Sequence, residues 1–249
     1  MVKQSEPPQA RQQLVYELVS GLSGIALAIF MWGHMILVGS ILTGERGFNW
    51  LAGTLEDLYI AQPTVIGVIA LFLAHAVFAS RKIPAQLRER RQLRDLAKGL
   101  GQSGKGWPNV AGAPAFSPHI ESMLWIWQVR TGMVIVVLGS FHLVLMGLDV
   151  FTPLFGERIG IEAATTLERV RGGLWPLYAI LLLCVEFHAS VGLYRFAIKW
   201  GAGARLKRSV LHRIEQLLFW AILVFGVITL AVLAGWLEPP LAFLLGDNT

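Results

Sequence analysis

Cys184-Val-Glu-Phe-His-Ala-Ser-Val-Gly-Leu-Tyr-Arg-Phe-Ala-Ile-Lys199 sets a glutamate and a histidine two residues apart inside a long apolar run, then closes it with an arginine and a lysine. Ionisable groups are costly at membrane depth, so each is a functional candidate. Three further apolar runs carry one histidine each, His34, His75 and His142. One histidine on each of four membrane helices organises the reading of the rest.

Around that stretch the composition is that of an integral membrane protein. Of 249 residues, 55% are hydrophobic and 15% charged, and the mean hydropathy is +0.58. Apolar runs of this length predict an all-α, helical membrane bundle rather than a barrel. The isoelectric point near 9.7 raises nucleic acid as a partner. The basic residues lie beside apolar segments, however, so they are read as orienting charge and no nucleic-acid partner is predicted. The single cysteine, Cys184, excludes disulfides, cysteine-ligated iron–sulfur clusters and covalent haem attachment within the chain. Met1 to Arg11 is polar and contains proline. It lacks the features of a cleavable leader, so the first apolar segment is expected to remain a span.

Five spans are predicted, at about 19–43, 62–83, 121–149, 172–199 and 211–237, within one domain covering 1–249. Each is long enough for about 30 Å of hydrocarbon. Basic residues collect before span one (Lys3, Arg11), in the connection at about 84–120 and the span end preceding it (from Arg81 and Lys82 to Lys105), and between spans four and five (Arg205, Lys207, Arg208, Arg213). Acidic residues collect on the opposite side, among them Glu45, Glu56, Asp57, Asp149, Glu162 and Glu168. The positive-inside rule then places the N-terminus in the cytoplasm and the C-terminus outside, which is the periplasmic side if the membrane is a bacterial cytoplasmic (inner) one. Ala85 to Leu100 reads as a charged surface helix, and Gly101 to Pro118, rich in Gly, Pro and Ser, as loop. This basic face suits anionic membrane lipid or a docked soluble subunit, beside ordinary orienting charge.

Orientation converts position into depth. At 1.5 Å per residue, His34 lies about 13 Å and His142 about 10 Å below the outer end of their spans. His75 and His188 lie about 18 and 22 Å down theirs. The four therefore sort into an outer pair, His34 with His142, and an inner pair, His75 with His188. Two histidine pairs at two depths are what two bis-imidazole haems need, and with both axial positions filled such haems move electrons rather than bind oxygen. Along each helix the histidine's face carries small residues (Gly21 and Gly24; Gly132 and Gly139; Gly192) that leave room for a ring edge. Trp125, Gln128, Arg195 and Lys199 fall on those faces toward the cytoplasmic side, where they suit haem propionates. His119 and His212 stand at cytoplasmic span starts and read as interfacial. One alternative is histidines that pack by hydrogen bonds across helices, with the glycines as helix contacts; another, a metal-ion channel or transporter, lacks the carboxylate cluster and broken helix pair expected of it.

Glu186 points about 200° away from His188 on the helix. There it is either a proton relay or a neutral carboxyl bonded to a neighbouring helix. Glu56 lies in the connection Gly44 to Pro63, whose Phe48, Trp50, Leu51, Leu55 and Leu58 suggest a segment folded back on the membrane. It is either a solvated loop acid or the acceptor of a proton from a quinol near an outer haem.

Five stretches resemble the dihaem cytochrome b subunit of quinol:fumarate reductases, in the succinate:quinone oxidoreductase superfamily. They are Phe30-Met-Trp-Gly-His34-Met35, Trp125-Ile-Trp-Gln-Val-Arg-Thr-Gly132, Leu138-Gly-Ser-Phe-His142-Leu143, Trp175-Pro-Leu-Tyr178, and Val185-Glu-Phe-His-Ala-Ser-Val-Gly-Leu-Tyr-Arg195 with Lys199. They cover most of the membrane portion. The resemblance implies a five-helix anchor around two haems b, with His34 and His142 on the distal iron and His75 and His188 on the proximal iron. It implies a flavoprotein (FAD) subunit and an iron–sulfur subunit docked on the cytoplasmic face, and leaves room for a dimer of the heterotrimer. Glu56 falls at the family's quinol-site glutamate and Glu186 at its proton-carrying glutamate. Trp125 and Lys199 fall on propionate contacts, and Arg169 or Arg171 stands for the arginine before span four. Ser20-Gly21 replaces the family's Gln-Ser near the start of span one. The expected activity is menaquinol oxidation near the outer face, feeding fumarate reduction on the partner subunits. Succinate:quinone reduction by the same architecture, or service as the cytochrome b anchor of another respiratory complex, stand as alternatives.

Overall fold

The computed structural model describes residues 7–102, 120–152, 160–201 and 206–245. Among these there is no strand. The helices are α1 (Pro7–Gly39), α2 (Glu45–Asp57), α3 (Ala61–Gln102), α4 (Ile120–Phe151), α5 (Ala163–Arg169), α6 (Trp175–Lys199) and α7 (Arg208–Leu233). Five stretches are long and apolar enough to cross a membrane: Arg11–Thr43, Ala61–Arg88, Met123–Phe151, Ala163–Lys199 and Arg208–Leu233.

The five spans follow the predicted order; the first begins at Arg11 rather than 19, and three further ends differ. α3 does not stop near residue 83 to leave a separate surface helix over 85–100. It runs on through Pro84 to Gln102. Proline removes one backbone donor and frees the carbonyl of Ser80. Ser80 is exposed, where the freed carbonyl is cheap to satisfy. The predicted loop at Gly101–Pro118 falls almost wholly outside the described residues, and His119 does so too. The fourth span begins at Ala163 rather than 172, because a π turn (Val170–Leu174) joins α5 to α6. Gly173 takes φ +112° there, a conformation glycine adopts without steric cost. The fifth span ends at Leu233 rather than 237.

α1 packs on α3, α3 on α4, α4 on α6 and α6 back on α1, so four helices close a ring. α7 lies outside it, against α6 and α1. One end of the ring carries α2. The other carries the start of α1, the continuation of α3 and the junction of α6 with α7, and is called the basic end below. The apolar core is concentrated beneath α2, where Phe48 and Ala52 meet Ile41, Leu42, Ala163, Leu167, Val170, Val232 and Leu233. The middle of the ring is instead a cavity of about 1,330 Å³.

α2 lies where the connection was expected to fold back, and it carries a structural duty the sequence did not disclose. Asn49 Oδ1 accepts the Ala163 backbone N–H at 2.8 Å, and Glu56 Oε1 accepts that of Ile161 at 2.6 Å. Two side chains of α2 thus satisfy donors at the start of α5, a region where a helix has no partners of its own. Gly160, at φ +139°, lies under the Glu56 carboxylate; a Cβ there would stand 2.7 Å from Oε1.

Candidate haem-binding cavity

The four histidines line this cavity. His34 on α1 faces His142 on α4, with ring centres 6.1 Å apart, and His75 on α3 faces His188 on α6, also at 6.1 Å. Each pair therefore joins diagonally opposite helices of the ring. Two metal–imidazole bonds of about 2.0 Å, with about 1.1 Å from nitrogen to ring centre on either side, put two axial ligands ~6.2 Å apart. The observed spacing fits one metal centre between each pair. Among the described residues no group of three or more His, Cys, Asp or Glu side chains converges. Each pair could thus offer two donors to a metal whose remaining positions a macrocycle would fill.

In the inner pair the tautomer is set by the backbone. His75 Nδ1 lies 2.9 Å from the Ser20 carbonyl and His188 Nδ1 2.9 Å from that of Gln128. A carbonyl only accepts, so Nδ1 carries the proton and Nε2 is left for a metal. Gly21, Gly24, Gly132, Gly139 and Gly192 all line the cavity, and two of them also accommodate these rings. A Cβ on Gly24 would stand 2.9 Å from His75 Cε1, and one on Gly132 2.8 Å from His188 Cε1. Gly21 abuts Phe196, Gly139 abuts Phe72, and Gly192 abuts Gln128. A helical wheel gives a residue's face but not the neighbour across from it. In the outer pair, Tyr178 packs edge-on to His142 at 5.6 Å, and His142 Nδ1 is buried without a hydrogen-bond partner.

At the basic end the cavity is lined by Trp125, Gln128, Arg195 and Lys199. Arg195 Nη1 donates to Gln128 Oε1 at 2.8 Å, Trp125 Nε1 to Gln86 Oε1 at 3.0 Å, and Lys199 pairs with Glu17. Sequence reasoning missed Lys82 here, counting it as connection charge. It lines the cavity and bonds Ser20 Oγ. Its spacing of seven from His75 places it on the ligand's face of α3, and that signal was available. Lys82, Arg195 and Lys199 thus gather cationic charge at this end, a setting that suits anionic propionates.

At the α2 end Arg169 lines the cavity and Arg171 does not; Arg171 packs beside Gly235. Arg169 Nη1 pairs with buried Asp149 at 2.5 Å and Nη2 bonds Thr166, while its Nε is buried without a partner. That unmet donor beside the outer histidine pair is where a further anionic acceptor fits. The cavity is otherwise mostly apolar, and larger than the ~300–1,000 Å³ of ordinary ligand pockets. Its shape, donors and charged ends fit two flat, carboxylate-bearing haems. Glu186 is buried and lines the cavity, whereas Glu56 stands beside it, flanked by the lining residues Leu55 and Ile161.

Known proteins are similar to this chain over most of its length. A family model described as succinate dehydrogenase/fumarate reductase transmembrane subunit matches residues 112–233. The fumarate reductase cytochrome b subunit of Wolinella succinogenes is 32% identical over 222 residues, covering 83% of this chain and 76% of the relative. That of Helicobacter pylori is 31% identical over 220 residues, covering 85% and 75%. The succinate dehydrogenase hydrophobic membrane anchor subunit of Archaeoglobus fulgidus is 32% identical over 92 residues, 36% of this chain and 73% of the relative.

Proposed function

This chain belongs to the succinate dehydrogenase/fumarate reductase transmembrane subunit family, and from that premise we propose that it is the dihaem membrane anchor of a quinol:fumarate reductase. Its place is a bacterial cytoplasmic membrane, with the basic end facing the cytoplasm. The observation that carries the reading is the pair of 6.1 Å histidine couples across one cavity.

Two bis-histidine haems b, when bound, supply one-electron transfer between a quinol site near the α2 end and an iron–sulfur subunit docked at the basic end. His34 with His142, and His75 with His188, hold the irons. Ser20 and Gln128 carbonyls orient the inner ligands. Arg169 neutralises propionate charge at one end, and Lys82, Arg195 and Lys199 do so at the other, with Gln128 and Trp125 as neutral donors. Menaquinol gives up two protons as it is oxidised, and Glu56, at the rim of the cavity, accepts one of them. Its carboxylate keeps Oε2 for that proton while Oε1 holds the Ile161 N–H. Glu186 passes protons inward, offsetting the charge that the electrons carry. Fumarate is reduced on the flavoprotein partner, not on this chain.

The succinate dehydrogenase anchor among the relatives favours one second reading, the same architecture working from succinate to quinone. Glu56→Gln tests the quinol site. It should abolish menaquinol-driven fumarate reduction while a viologen donor to the partner subunits still supports turnover. Retained menaquinol activity would overturn the assignment. The ratio of fumarate reduction to succinate oxidation with menaquinone separates the two directions.

A further inference from the structure

α6 carries Glu186, Ser190 and Tyr194 at successive intervals of four, so one side of the helix holds a polar stripe with steps of about 6 Å. Glu186 and Ser190 are buried, and Tyr194 contributes to the cavity wall. The Tyr194 ring packs on His212 of α7 at 5.7 Å between centres. His212 Nδ1 stands 2.8 Å from Glu215 Oε2, and its Nε2 stands 3.2 Å from Gln216 Nε2. The His212–Glu215 approach is off the line of a hydrogen bond, so a small rotation of either side chain makes or breaks the bond between them. Tyr194, His212 and Glu215 lie about 7, 6 and 10 Å from the basic ends of their helices. His212 is half-exposed and the Glu215 side chain nearly buried. The cluster therefore reaches from the cavity wall to the surface at the basic end, outside the helix ring and away from the histidine pairs. Arg208 and Arg213, on the same end of α7, are exposed.

We propose that Tyr194, His212 and Glu215 form the cytoplasmic proton exit of this subunit. Only O–H and N–H bonds change. Tyr194 gives its hydroxyl proton to the His212–Glu215 couple and takes one from a cavity water that Glu186 in turn reprotonates, and the couple releases a proton to the cytoplasm. Per quinol, two protons leave on the outer side, two electrons cross to fumarate, and two protons are consumed on the cytoplasmic side. An exit passing two protons inward keeps turnover electroneutral. The inference rests on the inward-relay reading above and names where that relay ends.

The test uses the assembled complex in proteoliposomes with menaquinol and fumarate, a potential-sensitive dye, and optical spectra to confirm haem content. His212→Gln and Glu215→Gln should each keep the haem spectrum, slow turnover about tenfold or more, and make the residual turnover charge the membrane. Imidazole on the cytoplasmic side should raise the activity of His212→Ala at least threefold and leave the parent protein unchanged. A purely structural histidine would show no such rescue. Glu186→Gln is measured alongside. If it is impaired while both Gln variants of the couple turn over normally without potential, the relay stands and this exit is wrong. If all three behave as the parent protein does, the relay reading falls and the exit with it.

Discussion

Replacing Gly132 by alanine should remove one haem and leave the fold intact. An added Cβ would stand 2.8 Å from His188 Cε1, and ordinary contact begins at 3.4 Å, so the ring must retreat by 3.4 − 2.8 = 0.6 Å. The His188 Nδ1–Gln128 carbonyl bond is 2.9 Å. A retreat of that size takes it to as much as 3.5 Å, where little hydrogen bond is left. The loss is about 1 kcal/mol directly. Misorienting a metal-ligating histidine costs about 10–100-fold in affinity for the bound group. Against this, alanine in a helix interior gains about 0.8–1 kcal/mol over glycine. Fold stability should therefore change little while the inner site fails. Gly24→Ala should do the same through His75, whose Cε1 lies 2.9 Å from its Cβ position. Gly147→Ala on α4 meets nothing within 4 Å and should be silent. The assay is haemochrome quantification with a redox titration. Both site variants should fall from two haems per chain to one and from two titration steps to one. Two haems with unchanged potentials in both variants would refute the reasoning.

Arg169→Gln strands the buried carboxylate of Asp149 and should destabilise the protein by about 3–5 kcal/mol, read as a lowered melting temperature in detergent. Adding Asp149→Asn should recover part of the loss. Lys82→Gln removes a cation from the cavity's basic end and should lower the midpoint potential of the inner haem. At roughly 10 Å and an effective dielectric of about 20, one charge is worth ~1.7 kcal/mol, or about 70 mV in a redox titration. Asn49→Ala removes the acceptor for the Ala163 N–H and should cost ~1 kcal/mol, measurable by the same thermal melt with both haems retained.

The histidine pairs were legible because two one-dimensional facts suffice for them: which span carries each residue, and how far along it lies. Loop charge supplied the direction of each span, and helical rise supplied the depth. Features that depend on what faces a residue from another helix were not legible. Gly24 and Gly132 share a face with ligands of their own helices, yet they accommodate the rings of His75 and His188. The caps from Asn49 and Glu56 to the start of α5 cross more than a hundred residues, so no local pattern announces them. Arg169 and Arg171 were inseparable in sequence. The π turn that begins at Val170 leaves the first on the cavity wall and the second beside Gly235. Lys82 is the one site residue that a stricter use of helical spacing would have found.

The central claim is that each facing histidine pair ligates one iron. Haemochrome quantification and low-temperature electron paramagnetic resonance on the complex purified with its partner subunits test it directly. Two low-spin, bis-histidine b-type haems per chain are expected. Alanine at His34 or His142 should remove one of them, and alanine at His75 or His188 the other. A folded complex with no haem, or one in which replacing His34 and replacing His75 remove the same haem, would contradict it.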